Sequence, residues 1–208
     1  MPGEKSGFAV AAGIFLLLPL ALVLLYFSLF RSLLTDPDTL LYFAMHAFLP
    51  GLAGIFLILR KPKLAALVMT LVALGVLLTE LPEVPRFLEP MGYLATYDEY
   101  SGYAEYIPRG FVAVPILSIL AALLFAAALY LRGKAALVVA LLSALAELAY
   151  LNLRFAAMAY VTGHPGPDAL FPLQLALAAL FTGLYLNSLK KAPAGETEEK
   201  AAEPEPAE

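Results

Sequence analysis

The 208-residue chain is 62% hydrophobic and only 14% charged, with a formal net charge of −4 at pH 7 and a mean hydropathy of +0.82. This composition excludes an ordinary soluble globular domain, because the apolar residues stand in long blocks rather than at amphipathic spacing. The sequence contains no cysteine, which excludes disulfides, thiolate nucleophiles and thiolate metal sites. We expect a lipid bilayer, and no nucleic acid, as the environment and partner of this chain.

Six apolar segments are candidates for membrane spans. A hydrocarbon core of roughly 30 Å needs about 20 helical residues, and only helices or closed barrels satisfy the backbone within lipid. The sequence lacks the alternating strands of a barrel. It therefore predicts an all-α fold, a polytopic transmembrane helical bundle occupying residues 1–191, with six spans at residues 8–30, 39–59, 64–81, 110–131, 135–161 and 169–189.

The third segment is the shortest of the six. Its uncharged part, Leu64–Thr79, rises about 24 Å at 1.5 Å per residue. Lys63 can extend its side chain to the interface at one end, and Leu81 lengthens the segment at the other. The alternative is a five-span protein in which this segment is re-entrant.

Basic residues mark one side of the predicted bundle. They lie in two short connections and directly after the last span: Arg60, Lys61 and Lys63, Arg132 and Lys134, and Lys190 and Lys191. The positive-inside rule places these positions and both termini in the cytoplasm. The predicted location is an inner or plasma membrane, crossed several times.

Residues 192–208 are mostly Glu, Ala and Pro. Such a segment has almost no apolar surface to bury, so the sequence predicts a disordered acidic cytoplasmic tail.

Residues 82–109 form the only long outer loop, and five tyrosines recur in it at spacings of four, three, three and three: Tyr93, Tyr97, Tyr100, Tyr103 and Tyr106. This spacing predicts a helix lying in the membrane interface as part of an aromatic belt. The alternative is an aromatic cage for a cationic ligand, which the neighbouring acidic residues favour.

Four polar residues share one narrow face of the fifth span: Ser143, Glu147, Tyr150 and Arg154. At 100° per residue they lie within about 60° of one another. Three alanines, at positions 136, 140 and 144, lie close to the same line and permit close helix packing. The face is therefore predicted to contact protein rather than lipid.

Two interpretations of this polar face remain open. In the first it lines a substrate or ion pathway, with Glu147 as a proton or cation acceptor and Arg154 as an anion anchor or counter-charge. An ionisable group at such a depth is costly, and this favours a functional role. In the second each charge is satisfied by another helix, and the residues only fix helix packing.

A second and weaker group of candidate residues lies toward the outer side, namely His46, Glu80, His164 and Asp168. Together they are a candidate polar or metal site, and two histidines are also able to ligate a haem. No local ligand spacing supports either cofactor, and a singly hydrogen-bonded histidine at each place is the alternative. Pro50 interrupts the second span and leaves the carbonyl of His46 without its usual helical partner.

The sequence contains no hydrolase, metalloprotease or phosphate-loop motif. The predicted function is a transport component that binds or passes a small polar solute or ion at the Glu147, Tyr150 and Arg154 face. The alternative is a non-catalytic anchor or accessory subunit of a larger membrane complex, for example a respiratory one, and a membrane enzyme is the third hypothesis. Partner subunits or a homo-oligomer are compatible with each hypothesis.

Overall fold

The computed structural model describes residues 2–29, 40, 43–98, 102–162 and 170–189. Within these ranges the chain is mostly helical, and a π-helical turn (Ala44–Phe48) and a 3₁₀ turn (Arg109–Val112) directly precede the second and fifth helices. The predicted helical bundle is confirmed to that extent. The α-helices and strands are α1 (Pro2–Leu29), α2 (Leu49–Ile58), α3 (Pro62–Glu80), α4 (Glu83–Phe87), β1 (Tyr93–Asp98), β2 (Tyr103–Ile107), α5 (Ala113–Tyr130), α6 (Gly133–Thr162) and α7 (Leu170–Ser188).

Four helical segments in the described ranges are long and apolar enough to cross a membrane. They are Gly7–Leu25, Pro62–Phe87, Arg109–Tyr130 and Gly133–Ala157, and a shorter apolar helical segment covers Ala44–Ile58. The four long segments coincide with the first, third, fourth and fifth predicted spans, and the shorter segment coincides with the second. The count of six spans stays a prediction.

The third segment is longer than its uncharged part suggests. It forms α3, an unbroken helix of 19 residues that begins at Pro62, and the candidate span continues to Phe87 over 26 residues. Proline is favoured in the first turn of a helix, where its missing N–H would have no partner. The unbroken helix favours a full crossing over a re-entrant segment, and the number of crossings stays a prediction.

The six longer helical segments pack as a closed ring. Each of α1, α2, α3, α5, α6 and α7 contacts its neighbours in chain order, and α7 returns to contact α1. Short turns explain most of this order, because α2 and α3, and likewise α5 and α6, are joined by two or three residues. Both turns lie at the end of the ring opposite β1 and β2, since these strands connect α3 to α5.

Large apolar side chains cover the outside of the ring. Several are more than half exposed, and the fraction reaches 74% at Leu78. Water would oppose such a surface, whereas hydrocarbon accepts it. Examples on three different helices are Ile14, Leu67, Leu78, Val138 and Leu145.

The interior of the ring is packed through small residues, most tightly where α1 crosses α2. A Cβ placed on Gly13 would lie 2.6 Å from the carbonyl oxygen of Gly54, and a Cβ on Gly54 would lie 2.6 Å from the carbonyl oxygen of Gly13. The two backbones are therefore in direct contact. A similar contact joins α7 to α6, where a Cβ on Gly183 would lie 2.6 Å from the Cβ of Ala140.

The tyrosine-rich loop is a β-hairpin, so the predicted interfacial helix is wrong. β1 and β2 pair antiparallel, with Tyr93 opposite Ile107 and Tyr97 opposite Ala104, and the register shifts between Leu94 and Thr96. A spacing of three or four residues suggests a helix, but aromatic residues are also strong strand formers. Gly102, with a φ of 65°, supplies a turn conformation between the strands that other residues rarely adopt.

The base of this hairpin is fixed by a ring stack. The rings of Phe87 and Tyr93 lie 4.7 Å apart at 26°. Burial is the main cause that raises the pKa of the Tyr93 hydroxyl above its ordinary value, and the nearby Glu83 carboxylate is the second cause. Arg86 donates to Glu83 over 2.9 Å and moderates this effect.

This raised pKa predicts a loss of stability in alkali. Folding disfavours the ionised form of Tyr93, so its contribution is complete below the ordinary tyrosine pKa of about 10 and is lost as the pH rises through the folded value. We expect Tyr93→Phe to lose less stability than the wild type between neutral pH and strongly alkaline pH. Melting temperatures in detergent across this range provide the measurement, with the exposed Tyr97 changed to Phe as the control. An equal alkaline loss in wild type and Tyr93→Phe would contradict the prediction.

The predicted threading places the two short turns in the cytoplasm. Reporter fusions after Lys63 and after Lys134 should therefore both report the cytoplasmic side, because both turns are basic and lie at the same end of the ring. An extracytoplasmic signal after Lys134 would contradict the orientation. A fusion after Gly102 in the hairpin is the matched control and should report the opposite side.

Candidate functional site

A mainly apolar cavity of about 50 Å³ that carries a few polar side chains lies inside the ring. The π-helical turn and α2, α3, α5, α6 and α7 all contribute to its wall. Its apolar lining includes Met69, Val72, Ala122, Phe125 and Leu175, and its polar lining consists of His46, Ser118, Glu147, Tyr150 and Arg154. Met69, Ala122 and Glu147 lie near the middles of α3, α5 and α6, and Ser118 and Arg154 lie nearer the hairpin, so the cavity extends from the middle of the bundle toward the hairpin.

The α6 wall of the cavity carries Glu147, Tyr150 and Arg154. Their spacing of three and four residues places them along one side of the helix. Glu147 and Tyr150 are only 8% and 7% exposed, respectively, and Arg154 is partly exposed. Glu147 is therefore the deep end of this wall and Arg154 lies toward the hairpin end.

Arg154 and Tyr150 interact directly. The guanidinium Nη1 of Arg154 donates a hydrogen bond to the Tyr150 hydroxyl, and the guanidinium carbon lies 5.8 Å from the centre of the Tyr150 ring. Arg154 also lies within electrostatic range of Glu80 at the end of α3 and of His46 in the π-helical turn. One cation thus links three elements of the ring.

Glu147 has a different environment. Within the described ranges no cationic side chain forms a salt bridge with its carboxyl. The nearby lining from α3 and α5 is mostly apolar. Glu147 and Arg154 are connected only indirectly, through Tyr150, which interacts electrostatically with both. A buried carboxyl beside a small cavity can exchange a proton or contact water.

The other predicted residue of this face, Ser143, lies apart from the cavity wall. Its Oγ donates to the carbonyl oxygen of Ala121 over 2.9 Å, and the side chain is fully buried. This bond joins α6 to α5. The structure thus places Ser143 in a helix contact.

The structure brings part of the second candidate group to the same place. His46 lines the cavity, and Glu80 lies within electrostatic range of Arg154. His164 and Asp168 lie outside the described residues. In the part of the chain that the structure describes, no three His, Cys, Asp or Glu side chains are grouped in a way that could hold a metal ion.

The irregular start of α2 positions His46. The backbone N–H of Leu49 bonds to the carbonyl of Ala44, five residues earlier, as in a π-helix. Pro50 is fully buried and has no N–H for the regular α-helical bond to the His46 carbonyl. The widened turn just before this proline carries His46 to the cavity.

Sequence reasoning missed three polar residues of the interior. Ser118 lines the cavity, and the side-chain oxygens of Gln174 and Thr182 are buried on α7 without a hydrogen-bond partner among the described residues. Gln174 and Thr182 are eight residues apart and therefore share one helix face with the buried Ala178. The sequence did contain a signal for Gln174 and Thr182, because uncharged polar residues at this spacing in an apolar segment indicate one buried helix face.

Comparisons with protein-family models, with curated proteins and with solved structures found no match to this chain. The fold itself defines the class of the protein, a mostly helical bundle in which four helices of the described residues are long and apolar enough to cross a membrane.

Proposed function

We propose that this chain is an integral membrane transport component whose cavity binds or passes a small polar solute or ion. The observation that carries the proposal is the cavity itself, where ionisable side chains from two ring elements, the π-helical turn and α6, meet inside an otherwise apolar bundle. Ionisable residues are expensive at membrane depth and usually mark a pathway or a binding site there.

The dimensions of the cavity favour an ion over a large solute. A water molecule needs roughly 10–15 Å³ of such space, so about 50 Å³ accommodates only a few waters. The wall offers both a carboxylate, at Glu147, and a guanidinium, at Arg154, with the Tyr150 hydroxyl between them. A hydrated ion in this space would meet polar groups on one side and apolar groups on the other.

The hairpin favours a second candidate function, that of an anchor or accessory subunit. Several apolar side chains around it are exposed outside the candidate spans: Leu88 at 58%, Met91 at 67%, Leu94 at 47% and Tyr97 at 62%. A partner subunit would bury this surface. In that case the cavity residues would serve helix packing alone.

Single cysteines distinguish the two functions, because the chain has none of its own. We expect the thiol of Ser118→Cys to react with Ag⁺ in the folded, membrane-reconstituted protein, since Ser118 lines the cavity. Residual thiol, labelled with a maleimide after denaturation, measures the reaction.

The matched control is Ser143→Cys, in which the replaced serine is fully buried in the α5–α6 contact. This thiol should remain unreactive. Equal protection of both thiols would show that no hydrated cavity reaches α5, and the anchor function would then replace the transport function.

A further inference from the structure

We propose that the ion taken by this cavity is the proton, which binds at Glu147 and exchanges through cavity water with the hairpin side of the bundle. This inference deepens the transport function proposed above and rests on it. It names the ligand, the acceptor and the side of access.

The size of the cavity excludes most solutes. An apolar cavity of about 150 Å³ holds a benzene molecule, and the space beside Glu147 is only about 50 Å³. A short chain of water molecules fits this space. Such a chain is sufficient to move a proton, because each water can accept one proton and release another.

The polar lining suits a proton better than a metal cation. Hard cations such as Ca²⁺ and Mg²⁺ take six or more oxygen ligands, whereas the lining supplies one carboxylate and the hydroxyls of Ser118 and Tyr150. The Tyr150 hydroxyl already accepts a hydrogen bond from Arg154. A proton needs a single acceptor, and an anion in the same space would meet the Glu147 carboxylate.

The end of the ring opposite the hairpin is closed. Fully or almost fully buried apolar residues from five helices fill it, and all belong to one packed cluster: Leu57, Ala65, Leu129, Ala136 and Leu186. Toward the hairpin the cavity wall instead ends in the partly exposed His46 and Arg154. Among the described residues, the polar lining therefore reaches Glu147 from the hairpin side.

The titratable groups around Glu147 come from three elements. His46 lies on the π-helical turn, Glu80 on α3, and Tyr150 and Arg154 on α6 itself. Among the described residues, α5 and α7 add no titratable side chain to the cavity lining, and β2 adds no lining residue. Glu147 is thus the one carboxyl that lines the described cavity.

The proposed step balances without another reactant. A hydronium ion in the cavity transfers a proton to a carboxylate oxygen of Glu147, which breaks one O–H bond of the hydronium and forms one O–H bond on the acid. Water is left behind. The reverse transfer regenerates the carboxylate.

Infrared spectroscopy on the full chain, reconstituted in vesicles of phosphatidylcholine and phosphatidylglycerol, tests the proton acceptor. We expect a carboxylic acid C=O band that changes with pH, shifts in D₂O and is absent from Glu147→Gln. Glu105→Gln, a change in β2 away from the cavity lining, should keep the band. Glu147→Asp, which retains a carboxyl, should also keep one, and a D₂O-insensitive spectrum identical in wild type and Glu147→Gln would overturn the proposal.

Ion fluxes in the same vesicles separate this proposal from the proposed function. Transport across the vesicle membrane also requires the closed end of the ring to open. If it opens, the wild type should dissipate a pH gradient, followed with an internal pH-sensitive dye, faster than Glu147→Gln, which should match protein-free vesicles. A Na⁺ or Cl⁻ flux without the infrared signal would overturn the proton and leave the transport function standing. The infrared signal without any flux would support the proton site and overturn transport.

Discussion

Replacing Gly13 by Leu should strongly destabilise the bundle. The Gly13 and Gly54 backbones are in contact where α1 crosses α2, and a Cβ on Gly13 would lie 2.6 Å from the Gly54 carbonyl oxygen. Backbone atoms cannot move aside as a flexible side chain can, so the two helices must separate. Overpacking of this kind costs about 1–3 kcal/mol and occasionally more. Thermal unfolding in detergent, followed by circular dichroism, measures the loss.

The matched control for this change is Gly7→Leu in the same helix. A Cβ on Gly7 would meet nothing within 4 Å, and a leucine there gains roughly the 0.5–1 kcal/mol that glycine costs within a helix. Gly7→Leu should therefore be neutral or slightly stabilising. Equal losses of thermal stability in both variants would show that α1 and α2 pack less closely at their crossing than the structure shows.

Removing the Arg154–Tyr150 hydrogen bond should have the second large effect. A hydrogen bond to a charged group contributes about 1.5–3 kcal/mol, and Arg154 also interacts with Glu80 and His46. We expect Arg154→Gln and Tyr150→Phe each to destabilise the protein, and the double variant to lose less than the sum of the two. A double-mutant cycle of detergent melting measures this coupling.

The same cycle between Glu147 and Arg154 should show weaker coupling. No salt bridge joins these two described residues, and Tyr150 lies between them. Asn152→Ala is the control on α6, because Asn152 is exposed and bonds only the Leu148 carbonyl of its own helix. Coupling of Glu147 to Arg154 as strong as that of Tyr150 to Arg154 would contradict the geometry described above.

The positions of the helices were predictable because long apolar blocks dominate this sequence. The span predicted at residues 64–81 coincides with α3 to within two residues at either end, and the helix begins earlier because Pro62 is favoured in a first turn. The short turns account for most of the helix order around the ring, whereas the contact of α7 with α1 was not predictable, because it depends on side-chain packing between segments of nearly identical composition.

The hairpin was not predictable from tyrosine spacing. Tyr93, Tyr97 and Tyr106 lie at intervals compatible with one helix face, and the same residues are strong strand formers. The turn at Gly102 and the stack of Tyr93 on Phe87 favour the hairpin over a helix. Neither feature has a periodic signal.

The site was predictable in part. The three α6 residues follow from helical geometry alone, because spacing fixes which residues share a face. The inclusion of His46 and Ser118 depends on how α2 and α5 approach α6, which the sequence does not encode locally. The α1–α2 approach in turn depends on the Gly13–Gly54 contact.

Closure of the ring between α1 and α7 bears on biosynthesis. These helices are the most distant in sequence among the ring neighbours, and their contact includes the stack of Phe15 on Phe181, with ring centres 5.5 Å apart. While the chain is being translated, α1 must wait in the bilayer or translocon with this face uncovered until the last helix emerges. A nascent chain arrested before α7 would also leave Ala140 on α6 without the helix that packs against it.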